Sequence, residues 1–224
     1  MEIIVNKKKY KFSDRLTIEQ WQNVMQFDFT NPANWVHIIH IVTGVPKELL
    51  IKGSQDTLEL GAAIIVQMCN ARQETRVTPM DTLTFGQFVD LDSYIAIGTE
   101  ASLKAMAEIL TPDVTHADEA LWAVEQWANY RMWVFRQYSA LFGLDEEQDE
   151  EEEEHEPQGI DKHAVARNWY KIIVDLANDD ILKLDQVTDQ PLIKTLNFMA
   201  LRKERQLEEN MKIMEQNAKL KTPR

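Results

Sequence analysis

The chain has 224 residues, 44% of them hydrophobic and 27% charged, with a formal net charge of −13; this length can bury a sizeable core, and the composition is that of an ordinary globular protein. No stretch approaches the roughly 18 consecutive apolar residues that span a bilayer, and Met1-Glu2-Ile3-Ile4-Val5-Asn6-Lys7 puts apolar residues before charges, the reverse of an export signal, so none is expected. A single cysteine, Cys69, excludes an internal disulfide framework and a cysteine-rich zinc site.

The first twelve residues alternate as strands do: Ile3, Val5, Tyr10 and Phe12 flank Asn6-Lys7-Lys8-Lys9, a run suited to a hairpin turn. One hairpin is marginal alone, so it needs a body to pack on. Thr17 and Gln20 then stand at capping-box spacing, with Leu16 and Trp21 at the staple positions, and Trp21, Val24 and Met25 give a helical apolar face. Asn31-Pro32 marks a second start, an N-cap followed by proline at the first helical position. That helix takes in Trp35, Ile38, Ile39 and Val42 and ends near Gly44, with Pro46 beyond. A third helix covers about 56–72, and Thr78-Pro79 interrupts the pattern. From Thr84, the residues Phe85, Phe88, Leu91, Tyr94, Ile95 and Ile97 predict an amphipathic helix ended by Gly98. A short helix follows through Leu103, Met106, Ile109 and Leu110.

The best-defined helix begins after Thr115 and stops at Gly143. Leu121, Val124, Ala128, Met132, Phe135, Tyr138 and Phe142 recur at steps of three or four, while Trp122, Trp127, Trp133 and Leu141 widen the apolar surface. A helix this apolar is expected to be buried on two sides, within its domain or against a partner. The acidic run follows: Asp145, Glu146, Glu147, Asp149, Glu150, Glu151, Glu152, Glu153, Glu154 and Glu156, with Pro157 and Gly159 at its end. Like charges at this density repel and bury nothing, which predicts a disordered loop. Setting its ten acids aside leaves 27 acids against 24 bases, a balance of −3, so the acidity is local. The remainder lacks the positive footprint that nucleic acid or an anionic membrane surface requires. The run serves either as a solvating linker or as a device that keeps the protein soluble, masks a sticky surface or attracts a basic partner. Helical structure resumes at Asp161, with Val165, Trp169, Ile172, Ile173 and Leu176 on one face and Asn178 as C-cap. A last long helix starts around 188–191. Its first half carries Leu192, Ile193, Leu196, Phe198, Met199 and Leu201; its second is charged and polar, with Leu207, Met211 and Met214 at helical spacing. From Pro191 to Arg224 there are eight bases and four acids.

Catalytic and metal chemistry is sparse. His37 and His40 stand at i, i+3 on a helix without a further ligand nearby, which favours ordinary half-buried histidines over a metal site. Glu152 and His155 share ligand-like spacing but fall in the acidic run. Neither Asp90 with Asp92 nor Asp179, Asp180 and Asp185 has the alternating acids and central glycine of a calcium loop, and Asp179-Asp180 is better read as the cap of a short helix. No phosphate-cradling glycine loop or nucleophile elbow is present, and Cys69 lacks a readable base in its apolar surroundings. The expectation is no enzyme, no cofactor and no metal. Six tryptophans, by contrast, suit both cores and interfaces, and since most fall on apolar helix faces, core packing is the expected role of most of them. Trp122, Trp127 and Trp133, with Leu207, Met211 and Met214, are the partner-binding candidates, the last three because a helix that outlasts its own apolar face must fray or dock on another chain.

Two stretches carry a resemblance. Thr82-Leu83-Thr84-Phe85-Gly86-Gln87-Phe88-Val89-Asp90-Leu91-Asp92 is one; the other runs from Asn168-Trp169-Tyr170 through Leu176-Ala177-Asn178-Asp179-Asp180 to Asp185-Gln186-Val187-Thr188. With the hairpin leading into Leu16-Thr17-Ile18-Glu19-Gln20-Trp21, they resemble bacteriophage morphogenesis proteins of the tail and baseplate assembly type, including tail assembly chaperones and the baseplate hub assembly proteins of T-even-like phages. The resemblance implies a non-catalytic protein of the infected bacterium's cytoplasm that helps to build a tail or baseplate, or that stays in the virion as a head–tail, tail-ring or baseplate subunit. The implied partners are other phage structural proteins, in a homo- or hetero-oligomer, with neither nucleic acid nor membrane. The expected fold is mainly α, with a small N-terminal β-hairpin and a long C-terminal helix. The expected divisions are a helical body at 1–144, an acidic flexible linker at 145–160 and a C-terminal helical portion at 161–224.

Overall fold

The computed structural model describes residues 1–5, 8–143 and 163–220. In chain order its elements are β1 (Glu2–Val5), β2 (Lys8–Lys11), α1 (Ile18–Val24), α2 (Pro32–Thr43), α3 (Lys47–Leu50), α4 (Gln55–Asn70), a 3-10 turn at Met80–Thr82, α5 (Phe85–Ile97), α6 (Thr99–Leu110), α7 (Ala117–Gln137), α8 (Ser139–Phe142), α9 (Ala164–Leu176), a second 3-10 turn at Ile181–Lys183, α10 (Leu184–Thr188) and α11 (Leu192–Leu220). The fold is therefore mainly α with one small hairpin and a long C-terminal helix. The acidic run, expected as a flexible loop, lies outside the described residues.

The residues gather into two compact units, one of 1–78 and 94–127, the other of 79–93 and 128–224. This differs from the division expected at the acidic run. The reason is packing: Trp169, beyond the run, meets Phe85 and Phe88, well before it, at ring-centroid distances of 5.8 Å. Helices α5 and α7 each contribute residues to both units.

In the first unit β1 and β2 pair antiparallel, with Glu2 opposite Lys11 and Val5 opposite Lys8, so Lys8 and Lys9 belong to a strand rather than to the turn. Helix α1 opens with the expected box. Thr17 Oγ1 accepts from the Gln20 N–H and Gln20 Oε1 from the Thr17 N–H, both at 3.1 Å, which satisfies two backbone donors near the helix end. The Asn31 cap of α2 is likewise in place, 3.0 Å from the Ala33 N–H, and Gly44 ends the helix at φ +67°, a conformation that side chains with a Cβ adopt only under strain. Trp21 is buried and donates its indole N–H to Cys69 O at 3.1 Å. The approach to α1 is stitched to the start of α7: Ile18 N–H reaches Thr115 O at 3.0 Å, and Ala117 N–H reaches Leu16 O at 2.9 Å. Arg15 grips Asp118 with two bonds of 2.7 and 2.6 Å and pairs with Glu119 at 2.8 Å. Burial pushes the Asp118 carboxyl up, but the Arg15 hydrogen bond and charge outweigh it and hold the group below its ordinary 3.8, while Arg15 is raised in return.

The second unit is built around aromatic rings. Trp169 stands edge-on to Phe85, Phe88 and Phe142; Phe135 meets Phe88 at 6.3 Å and Phe142 at 4.5 Å. Val89, Val134, Ile173, Leu192, Leu196 and Met199 are buried with them. The approach to α5 is a second capping box, Thr84 with Gln87 at 3.0 and 3.2 Å, and it bonds to the approach of α11: Phe85 N–H to Gln190 O at 2.8 Å, Leu192 N–H to Leu83 O at 3.0 Å. The helix expected to run unbroken to Gly143 stops at Gln137. Tyr138 leaves helical geometry (φ −116°, ψ 35°), its hydroxyl donates to Asn197 Oδ1 at 2.8 Å, and the short α8 then turns Phe142 back into the ring cluster.

Candidate protein-docking surface

One buried acid organises the second unit. Asp92 on α5 is 4% exposed. Its Oδ2 accepts the Trp169 indole N–H at 2.7 Å and its Oδ1 pairs with the Arg131 guanidinium, which also lies 4.2 Å from the Phe135 ring centroid. A buried carboxylate is tolerable only when its lone pairs are met, and here a charge and an N–H meet them. The node ties α9 and the second half of α7 to α5. Asp92, weighed with Asp90 as a metal ligand, is thus committed to two other partners.

Helix α9, so anchored, carries Leu176 to the edge of a groove of about 330 Å³. Its apolar wall is Leu176, Val187 and Phe198, and Lys183 and Lys194 stand on its rim. Asn178 and Asp179 link α9 to the following turn at φ 53° and 59°, two successive non-glycine residues in left-handed geometry. Asn and Asp enter this region more readily than other residues with a Cβ, because their short polar side chains can hydrogen-bond locally. Asp180 then caps the 3-10 turn, accepting from the Leu182 N–H at 3.0 Å and pairing with Lys183 at 2.8 Å; these bonds draw its carboxyl below the ordinary value. The turn leaves Ile181 77% and Leu182 82% exposed.

Helix α11 begins in the core and leaves it. Leu192, Thr195, Leu196 and Met199 are buried; Arg202 still pairs with Asp175 at 3.0 Å and Lys203 reaches the Ala140 carbonyl at 2.5 Å. From Glu204 to Asn217 every residue is exposed, Leu207, Met211, Ile213 and Met214 among them. Leu207, Met211 and Met214, at steps of four and three, form one stripe on the helix.

The tryptophan candidates separate. Trp127 is wholly buried and is corrected here from a partner anchor to a core residue; Trp122 is half-buried in the first unit. Only Trp133 presents a broad face, 47% exposed and stacked on Tyr130 at 5.5 Å, with the exposed Met132 next to it in the chain. Cys69 is buried, which pushes its thiol up to about 11. His37 Nδ1 lies 2.8 Å from Lys47 Nζ, and His40 Nδ1 lies 2.8 Å from Val45 O, so each ring has a local partner. Among the described residues no group of three His, Cys, Asp or Glu side chains is placed to hold a metal ion, and no helix is long and apolar enough to cross a membrane.

Sequence reasoning passed over the groove, Ile181, Leu182 and the exposure of Phe198. For Phe198 a signal existed: Leu192, Leu196 and Met199 define the core face by steps of four and three, and Phe198 falls about 100° from Met199 around the helix. Comparisons with family models, with curated proteins and with solved structures found no match to this chain.

Proposed function

We propose that the protein is a non-enzymatic assembly factor, a chaperone or adaptor for a bacteriophage tail or baseplate, that acts by protein–protein binding in the cytoplasm of the infected bacterium. The observation that carries the binding reading is the distal half of α11. It has fourteen consecutive exposed residues, Glu204 to Asn217, with an apolar stripe that none of the described residues of its own unit covers. A helix of this length is marginal in water by itself, because nucleation is costly and little is buried. A stripe at i, i+4 and i+7 suits an apolar groove on another protein, which would supply the missing burial. Glu208 and Lys212, four apart in the favourable order, support the helix until it docks. Trp133 is the second candidate anchor, of the residue type most often found at interface hot spots. The phage assignment rests on the two resembling stretches, and the near-neutral balance outside the acidic run favours protein partners over nucleic acid.

The test uses infected cells. The immobilised full chain should capture a single tail or baseplate subunit, and mass spectrometry of purified particles should find the chain absent or grossly substoichiometric. A fixed copy number in particles would make it a permanent virion component instead. A metabolic enzyme as sole partner, or turnover that depends on a tightly bound metal, would remove the assembly reading altogether.

A further inference from the structure

We propose that the groove between the end of α9, α10 and the first half of α11 is a docking site for an acidic peptide segment that carries bulky apolar side chains, presented by a partner protein. This surface lies before the exposed stripe of α11, and the proposal stands or falls separately from that stripe.

The chemistry follows from the lining. At about 330 Å³ the groove is at the lower end of ligand-pocket sizes, ~300–1,000 Å³. Its wall is apolar (Leu176, Val187 and Phe198), and among the described residues the charged groups on its lining are two lysines and no carboxylate. Lys194 Nζ donates to the neutral Gln190 Oε1 at 3.0 Å, which leaves its charge uncompensated by that contact. Lys183 is paired with Asp180 at 2.8 Å, but an ammonium has three donors, so it can take a second carboxylate. The pattern continues along α11. Lys194, Phe198, Leu201 and Arg205 follow at steps of four, three and four, a line of base, apolar, apolar, base along one face. Phe198 is 57% and Leu201 46% exposed, although both are large apolar side chains.

A neutral apolar ligand would use the wall and leave the lysines idle. A phosphate backbone would need a continuous basic track, whereas here two apolar side chains separate Lys194 from Arg205, and Asp185 and Asp189 lie beside Lys183 in the chain. A peptide with acids on either side of two apolar residues matches both the wall and the rim. Its apolar side chains would bury against Phe198 and Val187, and its carboxylates would meet Lys183 and Lys194.

The experiment is fluorescence anisotropy on the full chain with a labelled twelve-residue probe, two central phenylalanines flanked by glutamates. Two control probes replace the glutamates by glutamine or the phenylalanines by alanine. The expected result is saturable binding of the acidic phenylalanine probe alone, weakening as salt is raised. Lys194→Glu and Phe198→Ser should each weaken it by about fivefold to tenfold. Both positions are exposed, and Lys194→Glu alone carries the test should Phe198→Ser lower the melting temperature. Met211→Glu, on the distal stripe, should leave probe binding unaltered while weakening capture of the tail or baseplate subunit. Equal binding of either control probe, unchanged affinity in Lys194→Glu, or no saturation at millimolar protein would overturn the proposal.

Discussion

Replacing Asp92 by alanine removes one side chain and strands two others. The Trp169 indole N–H, in a residue only 5% exposed, loses its acceptor; a buried unmet donor costs about 1–3 kcal/mol. Arg131 loses its carboxylate. Breaking a fully buried pair costs about 3–5 kcal/mol, but the Arg131 side chain is 31% exposed and recovers water, so only a fraction of that applies. A total of about 3 kcal/mol corresponds to a fall of roughly 6–12 °C in melting temperature for a chain of this size. Thermal unfolding followed by near-ultraviolet circular dichroism, which sees Trp169 and its neighbouring rings, is the assay. The double variant Asp92→Leu with Arg131→Met should recover part of the loss, because no polar partner is then left unmet except the indole. A single variant melting within 2 °C of the unmodified protein would refute the reasoning, since it would mean that the node holds nothing together.

Asp118→Asn should destabilise the protein at neutral pH. The folded carboxyl of Asp118 lies below its ordinary 3.8, so its stabilisation is complete above that value and fades as pH falls through the folded one; the gap between the variant's and the parent's urea midpoints should therefore shrink below about pH 4. Cys69, with its thiol pushed up to about 11, should react with a disulfide reagent at pH 8 only after denaturant is added, and prompt reaction in the native state would contradict its burial. Gly86→Ala would place a Cβ 2.9 Å from Thr188 Cβ, forcing α5 and the approach to α11 apart; a loss of about 1–3 kcal/mol in chemical unfolding is expected.

What could be read from the sequence was what adjacent residues decide among themselves. The Thr17–Gln20 box, the Asn31-Pro32 start and the Gly44 stop needed no distant partner, and all three stand where local chemistry put them. Helix α3, helix α8 and the first 3-10 turn were illegible because three or four residues are too few to show a period, whereas the short turn after Asp180 was announced by its acidic cap. The two-unit organisation was illegible for a different reason. It depends on Asp92 meeting Arg131, 39 residues away, and Trp169, 77 residues away, and no local pattern encodes that meeting. The tryptophans of α7 show how a candidate site misleads. Trp127 and Trp133 share one helix and one residue type, yet six positions turn the second about 240° from the first, so one is core and the other half-exposed. The distal stripe of α11 was legible, since charged residues around a sparse apolar line already imply a helix without a core beneath it.

The most direct test of the docking role is a chain ending at Lys203, which keeps the Arg202–Asp175 pair and the Lys203 bond to Ala140 and removes only what lies beyond them. Its melting temperature and its capture of the proposed tail or baseplate partner are measured beside those of the full chain. The account predicts melting within about 2 °C of the full chain, because the removed helix buries little, together with loss of capture. A drop of about 6 °C or more, equivalent to some 2–3 kcal/mol at this chain length, with capture retained, would make the distal helix part of the core and contradict the account.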